Sequence, residues 1–391
     1  MTSEWNHSTI NDVCVLVTDG SHSSPKSVND GKYMVSVKDF TDYGFDFASC
    51  RMISNDDYET LKRNGCVPQI DDILIGKDGA RFFEDIIIYR QKEKPALLSS
   101  IAILRCDKSK ILPDFLYYVL RTPSFRQDVK DNYGSGSAIP RIILKDFKRM
   151  MVSYPSLEKQ QSIISVLTAI DSKIQANTEI NDNLADLLQT IYQERFVNDI
   201  LAVNQGVLSD ICSYSRDKVA VSELNVRTYF STENMLSGKA GSTEATSLPT
   251  TSQTTACHKG DTLISNIRPY FKKIVYCEDK CGCSTDVLCF TPSQPCYSAY
   301  LFSTLYADKF FAFMVAGSKG TKMPRGDKQQ IMTYPVVLPS EEELAGFNTI
   351  ASPLLEQIYS NRAENKRLSI LRDTLLPKLM SGEIDVSAVQ L

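Results

Sequence analysis

A set of basic side chains falls in loops where they could hold a polyanion. Lys77 and Arg81 flank Gly79 between two predicted strands, and Lys26 lies in a Ser/Pro-rich loop. The other candidates are Arg141, Arg268, Lys272, Lys273, Lys322 and Arg325. An arginine can bind guanine O6 and N7 with two hydrogen bonds, whereas a lysine more often holds a phosphate. We therefore expect these loops to bind a polyanion such as a nucleic acid; at each position a solvated loop charge is the alternative.

The charge distribution supports this expectation better than the total charge does. The 391-residue chain has a net charge of −4. Residues 121–149 hold seven basic and three acidic side chains, residues 317–330 hold four basic and one acidic, and residues 157–199 hold three basic and seven acidic. Because the positive charge is concentrated beside the candidate loops, part of the surface can bind a polyanion despite the acidic total.

Motifs for catalysis are missing from the sequence. Residues 266–270 (Asn-Ile-Arg-Pro-Tyr) superficially resemble the Asn-Pro-Pro-Tyr motif of amino-methyltransferases, but they contain an extra residue and no Gly-rich cofactor loop precedes them. Residues 317–322 lack the spacing of a phosphate-binding P-loop. His7, His22 and His258 stand in no triad or metal pattern. A recognition component is therefore favoured over an enzyme.

Two further groups could suggest chemistry but favour structural roles. Asp71 and Asp72 precede a predicted strand, where paired carboxylates more often close a turn than act as acid and base. Five cysteines lie close together in the sequence: Cys277, Cys281, Cys283, Cys289 and Cys296. Their spacing departs from the paired C-x2-C arrangement of zinc sites. We interpret them as reduced, packed cysteines and predict no metal.

The elements that position these residues occur twice. The segment 72–75 returns at 261–264 with an offset of 189, and the loop 136–141 returns at 320–325 with an offset of 184. Each copy contains predicted strands (Asp72 to Ile75, Asp85 to Tyr89 and Ser100 to Leu104; Asp261 to Ser265, Lys273 to Tyr276 and Asp286 to Phe290) and a predicted helix (Pro113 to Leu120; Ser298 to Phe313). Such a repeat predicts two related surfaces.

A long helix follows each globular copy. Apolar residues with a 4-3-4 spacing run through residues 163–191, interrupted by Asn177 and Asn181, and predict a helix from Leu157 to about Val197. A second seam comprises Phe347, Ile350, Leu354, Ile358, Asn361, Asn365, Leu368, Leu371, Leu375 and Leu379. We expect the two helices to pair antiparallel, with kinks or a late start caused by Pro353 and Pro377. The predicted fold class is mixed α+β.

The order of these motifs resembles a known family. Residues 136–142 (Gly-Ser-Ala-Ile-Pro-Arg-Ile), residues 145–147 (Lys-Asp-Phe), residues 154–160 (Tyr-Pro-Ser-Leu-Glu-Lys-Gln) and the helix with residues 170–174 (Ile-Asp-Ser-Lys-Ile) closely resemble the specificity subunits of type I restriction–modification systems. The second copy repeats the loop, strand and helix but has Glu341-Glu342-Glu343 where the first has Glu158-Lys159-Gln160, which leaves its register open.

The resemblance implies two target-recognition domains, each reading half of a bipartite double-stranded DNA site. It places them at residues 1–152 and 201–336, with coiled-coil helices at residues 153–200 and 337–391 that set the spacing and dock two methyltransferase (M) subunits. It also leaves room for restriction/motor (R) subunits. Family members bind no cofactor: S-adenosylmethionine belongs to the methyltransferase, and ATP with Mg belongs to the motor.

Two other interpretations remain open at this stage. One is a self-contained methyltransferase or nuclease, which would have to bind S-adenosylmethionine or a metal itself. The other is a coiled-coil scaffold without a DNA role. The N-terminal residues lack the basic and apolar regions of a signal peptide, and no apolar run approaches the ~18 residues that span a bilayer. We therefore expect a cytoplasmic protein without membrane contact.

Overall fold

The fold consists of two compact units. The computed structural model describes residues 5–79, 81–134, 140–198 and 204–386. The first unit comprises Met1–Ile174 with Lys366–Leu391, and the second comprises Gln175–Asn365. Each unit therefore contains part of both long helices. The domain limits given by the sequence stay a prediction.

The first unit combines short strands and helices. Its strands include β1 Asn6–Thr9, β2 Cys14–Asp19, β3 Lys32–Val35, β4 Phe40–Thr41, β5 Gly44–Phe45, β6 Arg51–Ile53, β7 Ile73–Gly76, β8 Ile86–Ile88, β9 Ala96–Leu97, β10 Ile101–Cys106 and β11 Met151–Tyr154. Its helices include α1 Ile10–Val13, α2 Asn55–Arg63, α3 Pro113–Arg121, α4 Pro123–Asn132, α5 Leu144–Arg149 and the start of α6 Leu157–Tyr192.

The second unit has the same kind of composition. Its strands include β12 Gln205–Val207, β13 Cys212–Tyr214, β14 Lys218–Ala220, β15 Tyr229–Phe230, β16 Gln253–Cys257, β17 Thr262–Ser265, β18 Ile274–Tyr276, β19 Cys281–Cys283, β20 Val287–Pro292 and β21 Pro335–Val337. Its helices include α7 Leu208–Ile211, α8 Ser298–Tyr306, α9 Asp308–Ala316, α10 Lys328–Ile331 and most of α11 Glu341–Ser381.

The repeat predicted from the sequence is confirmed by the sheet topology. The four-stranded sheet of the first unit has the order β2-β10-β7-β8, and one of the two four-stranded sheets described in the second unit has the matching order β13-β20-β17-β18. A two-stranded pair, β1 with β11 and β12 with β21, precedes the long helix in each copy. The central strands consist largely of buried apolar residues such as Ile73, Ile103 and Leu263. In the first unit both faces of the sheet are covered, because Ile73 packs in one apolar cluster with Phe115 of α3 and Ile103 packs in another with Val35 of β3.

The long helices run antiparallel to each other within each unit. In the first unit, Asp171 on α6 pairs with Arg372 on α11 at 2.9 Å. In the second unit, the Asn361 side chain donates to Asn181 Oδ1 at 2.9 Å. Asn177 Nδ2 donates to Asn365 Oδ1 at 2.8 Å. The partners thus move backwards along α11 as they advance along α6, which confirms the predicted antiparallel pairing; buried Asn–Asn layers of this kind specify register.

Helix α11 shows two differences from the prediction. It starts at Glu341 and continues through both Pro353 and Pro377, so the expected late start is wrong. Part of the seam is also shifted by one residue, because Ala351 and Leu355 are buried while Ile350 is exposed; the predicted residues Phe347 and Ile358 are buried. Predicted seam residue Leu371 is likewise exposed.

This buried pattern settles the register that the sequence left open. Buried Leu344 and Phe347 stand 184 residues after buried Gln160 and Ile163, the same offset as the preceding loop. Ser340 caps the helix, since its Oγ accepts a hydrogen bond from the Glu343 N–H at 3.3 Å, and the Glu343 carboxylate accepts one in return from the Ser340 N–H at 2.7 Å. Glu341, Glu342 and Glu343 therefore form the first turn of α11. Leu344 occupies the position that buried Gln160 has in α6.

A third difference concerns the helix predicted over 298–313. The structure has two helices, α8 and α9, separated at Ala307, whose backbone is extended (φ −63°, ψ 140°). The first unit has the same break between α3 and α4, where Pro123 follows Thr122. Alanine carries no breaking signal, so only the repeat could have predicted the second break. Within the described ranges, no helix is both long and apolar enough to cross a membrane.

Candidate nucleic-acid interface

The first unit brings its two basic loops together by backbone pairing. The β7–β8 hairpin presents residues 77–85, and a second loop ends at Pro140. The Gly79 N–H donates to Pro140 O at 3.0 Å, and the Ile142 N–H donates to Lys77 O at 3.0 Å. Asp78 and Arg141 form an isolated antiparallel bridge. The two loops that the sequence analysis selected separately thus form one surface; residues 136–139 of the repeated motif lie outside the described ranges.

The second unit contains the same pairing. The Arg268 N–H donates to Pro324 O at 2.8 Å, and the Gly326 N–H donates to Asn266 O at 3.3 Å. Ile267 and Arg325 form the isolated bridge. The hairpin partners are offset by 189 residues and the loop partners by 184 from those of the first unit. We call these two segments in each unit the paired loops: residues 77–84 with 133–142, and residues 266–273 with 317–326.

The backbone conformation of the hairpin loop is also repeated. Gly79 has a φ of +97° and its counterpart Arg268 has a φ of +50°. Phe83 and its counterpart Lys272 have φ values of +61° and +51°. The left-handed region costs a non-glycine residue roughly 1–2 kcal/mol. The second unit thus keeps an arginine where the first has a glycine, and strain retained in this way is typical of functional sites.

The predicted residues of the first unit fall in different environments. Lys26 is exposed in the loop between β2 and β3. Arg81 is also exposed, and its guanidinium lies 2.7 Å from Asp85. Lys77, in contrast, is 3% exposed. Its ammonium lies 3.2 Å from the Asp19 carboxylate, itself buried. The expectation of a surface cation at Lys77 is therefore corrected, since a buried lysine is stable only when its charge is paired.

The second unit presents its basic residues more openly. Lys322 is exposed. Arg325 is exposed, with one guanidinium nitrogen 3.0 Å from Asp286. Arg268 is half-buried, and its Nε has no hydrogen-bond partner among the described residues. This Nε is a buried donor, and an unsatisfied buried donor of this kind is a place where an ordered water or a ligand can bind.

The remaining two lysines are tied to the protein. The Lys272 ammonium lies 3.1 Å from Asp308. The Lys273 ammonium donates to Thr232 O at 2.6 Å. Burial lowers the pKa of Lys273. These two side chains therefore brace the loop, and any phosphate contact by them would compete with these bonds.

The sequence analysis missed several members of this surface. Lys319 is exposed and pairs with Asp327 at 2.5 Å. Tyr270, Phe271 and Met323 are exposed apolar side chains on the paired loops. The sequence held a signal for Lys319, because it lies in the repeated basic loop. It held none for the three apolar residues, because exposure of a large apolar side chain is a tertiary property.

The two surfaces differ strongly in charge. Residues 266–273 carry three basic and no acidic side chains, and residues 317–326 carry the same. The corresponding segments 77–84 and 133–142 carry two basic with two acidic side chains, and one basic side chain, respectively. The paired loops therefore sum to +6 in the second unit and +1 in the first. A field of this sign attracts a polyanion.

Carboxylates and thiols that could suggest catalysis are used structurally. Asp72 is fully buried and accepts two hydrogen bonds from the Arg105 guanidinium, both at 2.8 Å. Asp71 pairs with Arg90 and Lys108 at 3.2 and 2.7 Å. The Gln69 N–H also donates to Asp72 Oδ2 at 2.7 Å, so this carboxylate closes the turn before β7 as predicted.

The clustered cysteines lie in an apolar core of the second unit. Cys277, Cys281, Cys283 and Cys289 are buried there with Cys257, while Cys296 is half-buried. Cys277 and Cys281 have their sulfur atoms 3.6 Å apart. In the part of the chain that the structure describes, no group of three or more His, Cys, Asp or Glu side chains is arranged to hold a metal ion.

Comparisons with known proteins agree on one family. The family described as "Type I restriction modification DNA specificity domain" matches residues 2–185. The type I restriction enzyme MjaIX specificity subunit of Methanocaldococcus jannaschii is 23% identical over 71% of this chain and 71% of its own length. The corresponding HindI subunit of Haemophilus influenzae is 27% identical over 30% of this chain and 26% of its own length.

A solved structure shares the fold. The type I restriction–modification S subunit from M. genitalium superposes with a TM-score of 0.54 at 17% identity, covering 97% of this chain and 96% of that one. The chain is thus similar to the specificity subunits of type I restriction–modification systems over residues 2–185, and it shares the fold of one of them. Its buried carboxylates and thiols serve pairing and packing.

Proposed function

We propose that this chain is a specificity subunit of a type I restriction–modification system and reads a bipartite DNA sequence, one half with the paired loops of each unit. The observation that carries the proposal is the repeated backbone pairing, Gly79 with Pro140 and Arg268 with Pro324. The two units therefore present their paired loops with the same backbone pairing. Two related readers in one chain suit a target with two separate halves.

The two half-sites should differ in sequence. Gly79 in the first unit corresponds to Arg268 in the second, and Arg81 corresponds to Tyr270. Arginine can read guanine in the major groove, whereas glycine can read no base edge. The net charge of the paired loops differs as well, as described above. Because the framework is common and the side chains are not, the target should be asymmetric.

The helices supply candidate surfaces for other subunits. On α6, Ile180 and Leu187 are exposed, and on α11, Ile370 and Leu371 are exposed. Apolar side chains left on a helix surface are typical of a partner contact. We propose that the helices set the spacing of the two readers and dock two methyltransferase subunits, with restriction/motor subunits joining in a cleaving system. In this proposal S-adenosylmethionine, ATP and Mg belong to those partners.

The direct test maps the methylation that the complex leaves on DNA. The chain is co-expressed with its methyltransferase subunit, and N6-methyladenine is mapped across the host genome by single-molecule sequencing. The expected result is one bipartite motif with two short defined halves and a fixed gap. A stable complex that leaves no modification would contradict the proposal.

The same preparation separates the two other interpretations. Binding of S-adenosylmethionine to the isolated chain would favour a self-contained enzyme. A complex without salt-dependent DNA affinity would favour a scaffold, because each phosphate contact on duplex DNA contributes about −0.9 to the slope of log K against log salt. A slope of about −4 or steeper would support DNA binding through the exposed basic residues.

A further inference from the structure

The paired loops of the second unit carry an exposed apolar tip. Tyr270, Phe271 and Met323 are 50%, 38% and 48% exposed. The Tyr270 and Phe271 ring centroids lie 4.8 Å apart. Grouped exposed apolar side chains mark a binding surface more often than single ones do. The tip is therefore a candidate binding surface.

The tip is held in a fixed conformation. Pro269–Phe271 forms a single 3-10 turn between two left-handed residues, Arg268 and Lys272. The Phe271 N–H donates to Arg268 O at 2.9 Å, and the Lys272 N–H donates to Pro269 O at 2.9 Å. The Arg268 N–H is bonded to Pro324 O in the neighbouring loop. A turn clamped at both ends cannot fold its rings back into the core, and a rigid ring loses little entropy on binding.

The charge around the tip selects the class of occupant. The two segments that form it carry six basic and no acidic side chains between them. Aromatic or apolar residues surrounded by basic ones suit DNA, where the basic groups hold phosphates and the apolar group enters a base step. A purely apolar protein surface would leave this charge without a counterpart.

The first unit offers no equivalent tip among its described residues. The positions of Tyr270, Phe271 and Lys272 are taken there by Arg81, half-buried Phe82 and buried Phe83. Only Arg81 is exposed at that point. At these positions the exposed side chain is therefore the charged Arg81 in the first unit and the aromatic Tyr270 and Phe271 in the second.

We propose that the turn with Tyr270 and Phe271 is a wedge that unstacks a base step in the half-site read by the second unit, and that the first unit reads its half without one. This inference rests on the proposed function. Its consequence is readout by deformability, because flexible pyrimidine–purine steps are unstacked at lower cost than stiff A-tracts. Sequence preference would then extend to a step whose base edges no side chain contacts.

The test uses the complex with the methyltransferase subunit and duplexes carrying the mapped motif. The fluorescent base 2-aminopurine replaces one base at a time in the second half-site, at positions other than the methylated adenine, since that base leaves the stack during the reaction. The expected result is a rise in fluorescence at one step. Phe271→Ala should abolish the rise and weaken binding about 5- to 100-fold, the range for loss of an aromatic stack on a base.

Matched variants distinguish a wedge from a fold defect. Phe271→Met keeps a side chain able to enter a step and should retain most of the fluorescence rise, whereas Phe271→Ser should lose it. Tyr43→Ala removes a comparably exposed ring from the first unit and should leave the second half-site signal unchanged. Circular dichroism spectra of all variants should match that of the unchanged protein.

The other outcomes overturn the inference in distinguishable ways. A complex that binds and methylates its motif with no fluorescence rise at any step would remove the wedge and leave the proposed function intact. A change of subunit composition in the Phe271→Ala complex, measured by light scattering, would assign the tip to a protein contact. Loss of all salt-dependent DNA affinity in the unchanged complex would refute the proposed function as well.

Discussion

Replacing Arg268 with glycine should separate folding from DNA recognition. Arg268 holds a left-handed backbone (φ +50°, ψ +62°) where the first unit has Gly79. Relief of the left-handed strain is worth roughly 1–2 kcal/mol, and the greater freedom of glycine in the unfolded chain removes about 0.5–1 kcal/mol of that. The free energy of unfolding should therefore stay unchanged or rise by up to about 1.5 kcal/mol, which a shift of the urea midpoint measures.

The same change should weaken DNA binding at one half-site. A lost bidentate base contact is worth about 1–3 kcal/mol, or about 5- to 150-fold in the dissociation constant. Fluorescence anisotropy at constant salt would compare the mapped duplex with duplexes in which one half-site is scrambled. For the Arg268→Gly variant, scrambling the second half-site should have less effect than it has for the unchanged protein.

Two results would refute this reasoning. A variant that is less stable by more than 1 kcal/mol and binds normally would show that Arg268 serves the fold. Equal weakening on every duplex, scrambled ones included, would assign Arg268 to a phosphate. Arg227→Ala is the control for charge alone, because Arg227 is exposed in the same unit and its guanidinium lies 3.1 Å from Glu244.

Three further predictions concern stability. Asp72→Asn should lower the free energy of unfolding by about 3 kcal/mol, measured by thermal melting, because it leaves the guanidinium bonded to this fully buried carboxylate without its counter-charge. Asn181→Leu should cost about 1–3 kcal/mol by stranding its buried partner Asn361, whereas replacing both with leucine should restore stability in a urea double-mutant cycle. The hydrogen bond from Lys239 lowers the pKa of Asp308, so its contribution is present above the ordinary value of 3.8 and is lost as the pH falls through the lowered pKa. Lys239→Met should remove that part of the acid dependence of the urea midpoint.

The sequence by itself determined the repeat, most of the strands and the two long helices. Short apolar runs and 3.5-residue spacings are local, so the strand at Ile73–Gly76 and the helix at Leu157–Tyr192 could be predicted from neighbouring residues. The antiparallel pairing followed from two matching seams with asparagines at related positions. The continuity of α11 through Pro353 and the break at Ala307 were mispredicted, because packing overrides local propensity.

Only the tertiary structure decided how the candidate site is assembled. It placed the ammonium of Lys77 in a buried pair with Asp19, a partner 58 positions away in the chain. It joined Arg268 to Pro324 across a similar separation and exposed the ring of Phe271 beside them. Residue type and spacing show which side chains can bind a polyanion. Which of them reach solvent depends on contacts between distant segments, whose formation is a property of the whole packed chain and leaves no periodic trace in the sequence.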